Sequence, residues 1–237
     1  PVLVCLALCI PKLWQGGWST DTPWYAAIAL DSYRSREFWT LPGIGDQPYF
    51  NKPPLAFWIN GLPLALLGPT VLAARIGSVL ACIVSVLSVT HLARRASGSN
   101  LLALWTGVIL SLTWEFVRHG RSFSLDLWVV AFLLIGLIGV AEAIRSGKGK
   151  RLLLLGVGIG LSLLTKPLVG LAVFPIVGIW FAIERKPKLL TWLVPSLLAA
   201  LATATPWHVA MWLQHGDVFT DQYLSLIHIS EPTRRYA

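Results

Sequence analysis

Charge is scarce in this chain, and so is everything a soluble enzyme ordinarily uses for polar chemistry. Of 237 residues only 13% are charged, with 11 acidic side chains in all, while 55% are hydrophobic and the mean hydropathy is +0.67. Those proportions exclude an ordinary soluble domain and point to a protein that resides in a bilayer. Cysteine is equally sparse. Cys5, Cys9 and Cys82 fall inside apolar runs, which leaves no disulfide framework and no zinc-type spacing, so they read as core. His119, His208 and His215 show no metal-ligand spacing either, and no metal-binding residues are assigned. The formal charge of +8 does not imply a nucleic-acid partner, because the basic residues sit in short clusters between apolar runs, as in the cytoplasmic loops of membrane proteins.

Both ends carry expectations of their own. The chain opens "PVLVCLALCIPKLW", without an initiator Met and already within an apolar run, which predicts a first helix truncated at its start. From Leu224 the tail "LSLIHISEPTRRYA" resembles a translated sequencing adapter, so the domain is placed at 1–223 and the tail, 224–237, is set aside.

Stretches long enough to span, about 17–25 residues, occur at Leu72–Leu92, Leu101–Val117, Ser124–Ala143 and Leu189–Leu213. Leu152–Ile183 as one helix would measure about 48 Å and leave Lys166 near the midplane of a core about 30 Å thick. It is therefore predicted to be two arms, broken at "LTKPLVG" by Pro167 and Gly170. The loops Arg94-Arg95, Arg145–Arg151 and Arg185–Lys188 hold nine basic and two acidic residues, against eight and eight on the other side, tail excluded. That asymmetry places these three loops in the cytoplasm. A long first outer loop then runs from about 14 to 71, with Leu55–Leu67 lying along the interface instead of crossing.

The polar residues of the outer turns are the candidates for chemistry. "STDTPWYAAIAL" reads as a helix start, with Asp21 or Thr22 as N-cap and Pro23 at the first helical position. Asp21 is thus either a cap or a carboxylate that accepts a proton from an attacking hydroxyl. In "YFNKPPLAFW" the prolines after Lys52 hold the local backbone extended and pre-set where the ammonium points; snorkelling to the headgroups is the alternative. In "FVRHGRSFSLDLW", Glu115 can pair with Arg118 one turn away, whereas Asp126 has no nearby partner at the start of a span, where ionisable residues are costly. Lys52, Arg118, Arg121 and Lys166 together would suit a phosphate, and a lipid-linked one at the membrane face.

These pieces are identified with a family. The runs "TDTPWYAAIAL", "GDQPYFNKPPLAFWINGLPLALLG", "RSFSLDLWVVAF", "GLSLLTKPLVGLAVFP" and "PWHVAMWLQHGDVF", in order over residues 3 to 223, resemble the protein O-mannosyltransferase superfamily of membrane glycosyltransferases, whose bacterial branch includes the aminoarabinose transferase acting on lipid A. The resemblance implies an all-α, polytopic GT-C fold with interfacial helices in its first periplasmic loop. It also implies sugar transfer from a polyprenyl-phosphate donor to a lipid or protein acceptor at the periplasmic face of the bacterial inner membrane. By the same resemblance Asp21 is the loop-one catalytic aspartate, Asp126 the acidic residue at the top of a later span, Lys52 the lysine that holds the donor phosphate and Tyr25 the tyrosine nearby. The site is then expected to comprise Asp21 and Asp126 as catalytic residues, Lys52, Arg118, Arg121 and Lys166 around the phosphate, and Tyr25 and Tyr49 in the substrate pocket. No cofactor is called for beyond the donor substrate, and the part of a divalent ion is left open. Thr22 and Asn51 stand where many members carry acids, and Trp24 where the aminoarabinose branch carries a base, which leaves sugar and acceptor unassigned. A secondary transporter is the alternative reading; it lacks a pair of matching broken helices in two halves.

Overall fold

The structure, a computed structural model, describes residues 1–14, 22–43, 47–166 and 168–224. Asp21, Pro167 and the tail beyond Leu224 lie outside the described residues. The described chain is helical. Its elements are α1 (Val2–Cys9), α2 (Thr22–Ser35), α3 (Leu55–Leu67), α4 (Val71–Ser97), α5 (Asn100–Leu112), α6 (Trp114–Gly120), α7 (Asp126–Ser146), α8 (Leu153–Leu163), α9 (Val173–Ile183), α10 (Pro187–Thr191) and α11 (Leu193–Leu224). Among the described residues there is no strand beyond an isolated bridge between Pro42 and Pro48.

Three helical stretches, Val71–Ser97, Asp126–Ser146 and Pro187–Tyr223, are long and apolar enough to cross a membrane, and the bent pair α5–α6 reaches that length and hydropathy only when its two arms are counted as one span. The chain is a multi-pass membrane protein. Side-chain contacts set the directions of the helices. Near the start of α4, Ser78 Oγ accepts from the Ser124 N–H at 2.8 Å, just before α7, while near their ends Arg95 Nε meets Glu142 Oε1 at 3.0 Å. Helices α4 and α7 therefore run parallel, with both C-termini at one end. Ser196 Oγ donates to Leu152 O at 2.7 Å, which brings the start of α11 to the start of α8 at that same end. Arg94, Arg95, Arg145–Arg151 and Arg185–Lys188 consequently gather at one end of the bundle, the segregation expected from the charge count.

Local chemistry sets the turns. Thr70 Oγ1 caps α4 by accepting from the Ala73 N–H at 3.1 Å; Gly98, at φ 70°, closes its far end, and Ser99 caps α5 immediately afterwards. The anticipated break in Leu152–Ile183 is present. Helix α8 stops at Leu163 and α9 begins at Val173, each flanked by a 3₁₀ turn, Gly149–Leu152 and Val169–Ala172. Each arm with its 3₁₀ turn is roughly 24 Å long, short of a full core of about 30 Å. Small residues let the helices meet closely, as in membrane bundles generally: a Cβ on Gly158 would lie 2.5 Å from Phe132 O.

One expectation is corrected. Leu101–Val117 is not a straight span: the chain bends by 66° at Thr113, whose extended backbone (ψ 121°) ends α5 and lets α6 turn Phe116 and Val117 into the core. The last span ends close to Leu213 as expected: α11 breaks at a non-helical Gly216 (φ 50°, ψ −124°), and a second helical segment runs on to Leu224. The turns on both sides of this break form a platform for the segment between α2 and α3. Trp207 Nε1 donates to Trp39 O at 2.9 Å, Thr40 Oγ1 lies 3.0 Å from His215 Nε2, and Phe50 packs on His215 and Phe219. The three cysteines are fully buried as expected, and their sulfurs converge to within 4.8 Å of one another.

Candidate functional site

Opposite the basic end, the start of α2, the segment before α3, the α6–α7 turn and the end of α8 enclose a cavity of about 310 Å³. Thr22, Tyr25, Lys52, Arg118, His119, Ser122, Asp126 and Lys166 line it. Lys52 and Lys166 reach it because their segments are joined: the Leu55 N–H, just after the two prolines, donates to Leu164 O at 3.0 Å. Pro53 and Pro54 leave their own nitrogens without protons, so Leu55 offers the first donor after Lys52. This single bond ties the lysine-bearing segment to the turn that carries the second lysine.

Asp126 begins α7, where a carboxylate is favoured by the helix dipole. Its Oδ1 lies 2.7 Å from Lys166 Nζ, 40 residues away in sequence, so the partner missing from its own neighbourhood is supplied by the α8 turn. Arg118 pairs with Glu115 as anticipated, at 2.6 Å, and its guanidinium is also 3.3 Å from His119 Nε2. Among the described lining residues, Lys52, Arg118 and Lys166 are basic and Asp126 is acidic.

The turn between α6 and α7 is held from several sides. Ser124 accepts from Asn60 Nδ2 through its carbonyl at 3.4 Å, and its hydroxyl lies 3.1 Å from His119 Nδ1. Asn60, fully buried, also accepts from Trp128 Nε1 at 2.9 Å. The Phe123 N–H donates to Thr22 Oγ1 at 3.3 Å, which docks the start of α2 onto the same turn. Tyr25 completes the wall, its ring edge-on to Phe57 at 5.5 Å and near Phe123 at 6.2 Å.

The structure thus brings together Tyr25, Lys52, Arg118, Asp126 and Lys166. Asp21 immediately precedes the lining residue Thr22 but lies outside the described residues. Tyr49 and Arg121 do not line the cavity. Tyr49 is buried between Trp24 and Phe57, with ring distances of 6.4 and 5.8 Å. Arg121 turns the other way and donates to Leu8 O at the end of α1, 3.0 Å from Nε with a second, closer bond from Nη2. Arg75 does the same for Leu13 O at 3.1 Å. These two guanidiniums satisfy carbonyls left open where α1 and its 3₁₀ extension end. His119 and Ser122 were not anticipated as lining residues. The available signal for His119 was its place one turn after Glu115, whose Oε2 lies 3.9 Å from His119 Nε2.

A helical membrane protein with a charged cavity at one end of its bundle is what fold and site define. The chain belongs to the dolichyl-phosphate-mannose-protein mannosyltransferase family, which it matches over residues 51–212. Among curated relatives, the undecaprenyl phosphate-alpha-4-amino-4-deoxy-L-arabinose arabinosyl transferase of Erwinia tasmaniensis is 34% identical over 217 residues, covering 88% of this chain and 38% of the relative. Its counterpart in Enterobacter sp. (strain 638) is 28% identical, with coverages of 91% and 42%. The crystal structure of ArnT from Cupriavidus metallidurans bound to undecaprenyl phosphate superposes with a TM-score of 0.78 at 22% identity, covering 96% of this chain and 43% of that one; the apo state gives 0.76 at 23% identity. The GT-C fold expected from the motifs is therefore the fold observed. The chain spans about two fifths of the length of the relatives it matches.

Proposed function

We propose that this chain carries the donor site of a glycosyltransferase that moves a pentosyl or hexosyl group from a polyprenyl-phosphate carrier to a lipid or protein acceptor at the periplasmic face of the inner membrane. The observation that carries the reading is the convergence of Lys52, Arg118 and Lys166 with Asp126 on one cavity, at the end of the bundle opposite the basic loops. Family membership and the printed activity of the relatives support it.

In this reading the acceptor hydroxyl attacks the anomeric carbon, the bond from that carbon to the phosphate oxygen breaks, and the lipid phosphate leaves with the electron pair. Lys52, Arg118 and Lys166 stabilise the charge that develops on the phosphate. Asp21 takes the acceptor proton. Tyr25 shapes the wall against which the sugar sits. A pore or transport path would place its ionisable groups near the midplane between two repeats, whereas these stand at the bundle's end.

The test is transfer of radiolabelled sugar in membranes containing the full-length protein, beside Asp21→Asn and Lys52→Ala. Each substitution is expected to lower the rate by about 10²-fold or more at unchanged protein level. Undiminished transfer in both would remove the assignment, and substrate uptake without transfer would replace it with transport.

A further inference from the structure

At the basic end, helices α4, α7 and α9 leave an apolar crevice of about 540 Å³, walled by Leu92, Leu137, Val140, Ile144 and Trp180. A second cavity of about 410 Å³ adjoins it, lined by His91, Arg94 and Gly98. Arg95 and Arg145 line both. The two form one amphipathic site, greasy along the helices and cationic at the mouth. We infer that it binds an anionic glycerophospholipid of the leaflet at this end, with the phosphate between Arg94, Arg95 and Arg145 and an acyl chain in the crevice.

Charge complementarity selects this occupant. Glu142 is the one carboxylate at the mouth among the described residues, and it holds the guanidiniums in place: Arg95 Nε at 3.0 Å, Arg145 Nε at 4.0 Å, with His91 Nε2 also 4.0 Å away. Three arginines against one carboxylate leave an excess of two positive charges even with His91 neutral. A zwitterionic lipid would leave that excess unmatched, and a soluble anion would leave the crevice unfilled. Basic pockets between transmembrane helices on the cytoplasmic side are suited to anionic headgroups, and the crevice volume falls within the range of about 300–1,000 Å³ common to preformed ligand sites. None of these residues belongs to the cavity at the other end, so the inference stands independently of the proposed transfer reaction.

The experiment titrates the full-length protein in mild detergent with phosphatidylglycerol or phosphatidylethanolamine of identical acyl chains, read by native mass spectrometry. Phosphatidylglycerol is expected to bind about tenfold tighter or more, since each cation near the headgroups contributes about 1 kcal/mol. Arg94 and Arg145 are exposed, so the pair Arg94→Ala/Arg145→Ala should remain folded and erase that preference to within about twofold. Ala141→Phe, which fills the crevice from its lining, should weaken both lipids. Equal binding of the two lipids, a preference untouched by the arginine variants, displacement by inorganic phosphate at matched concentration, or failure to retain any lipid because another segment of the full-length protein fills the crevice would each overturn the inference.

Discussion

Replacing Lys166 by alanine separates a folding role from a chemical one, because the structure makes the two effects very different in size. The ammonium lies 2.7 Å from Asp126 Oδ1, but the side chains are 36% and 51% exposed. An ion pair that wet contributes about 0.2–1 kcal/mol to stability. At the upper limit, Lys166→Ala would lower the melting temperature of the full-length protein by only a few degrees. The proposed catalytic loss is much larger. Removing one preorganised donor from a developing anion costs about 2.7–4 kcal/mol, or about 10²–10³ in rate. The assay is the initial rate of sugar transfer in membranes, normalised to folded protein, with thermal unfolding measured on the same preparation. Asp126→Asn supplies the second corner of a cycle, and the double variant gives the coupling between the two residues. A rate loss below about threefold, or one matched by an equal loss of folded protein, would refute the reasoning.

Three further outcomes test how the site is held. Asn60→Leu strands the Trp128 indole N–H in the core and should cost about 1–3 kcal/mol, whereas adding Trp128→Phe should recover part of it; thermal unfolding of the single and double variants reads the difference. Gly158→Val forces a side chain against Phe132 O, 2.5 Å from the first added carbon, and should part α7 from α8, with a loss of at least about 1–3 kcal/mol measured by unfolding in detergent. Burial raises the pKa of Tyr33, whose hydroxyl donates to Trp58 O at 2.7 Å. Its contribution to stability is thus complete below the ordinary tyrosine value of 10.0 and declines as pH rises through the higher folded value. Tyr33→Phe should flatten that alkaline decline, as followed by unfolding between neutral and strongly alkaline pH.

The sequence revealed the spans because apolar length is set locally by bilayer thickness, and it revealed the break between α8 and α9 because a 32-residue apolar run with a central lysine has no other physical solution. Lys52 was legible for a similar reason, two adjacent prolines constraining the backbone on the spot. What could not be read depends on contacts distant in sequence. Arg118 and Arg121 look equivalent in "VRHGR", yet one faces the cavity and the other is drawn to a carbonyl 113 residues away at the end of α1. The bend at Thr113 is invisible in hydropathy because both arms are apolar; it follows from where Phe116 and Val117 find neighbours. Asp126 was singled out for lacking a partner nearby, and the partner proved to be Lys166, itself a candidate for different reasons.

The bond from Leu55 to Leu164 gives the two lysines a common chassis. Motion that carried the Lys52 segment away would first have to break it, so the backbones that bear the two lysines move together. Under the proposed reaction, the two ammonium groups would therefore meet the phosphate, or leave it, as a pair.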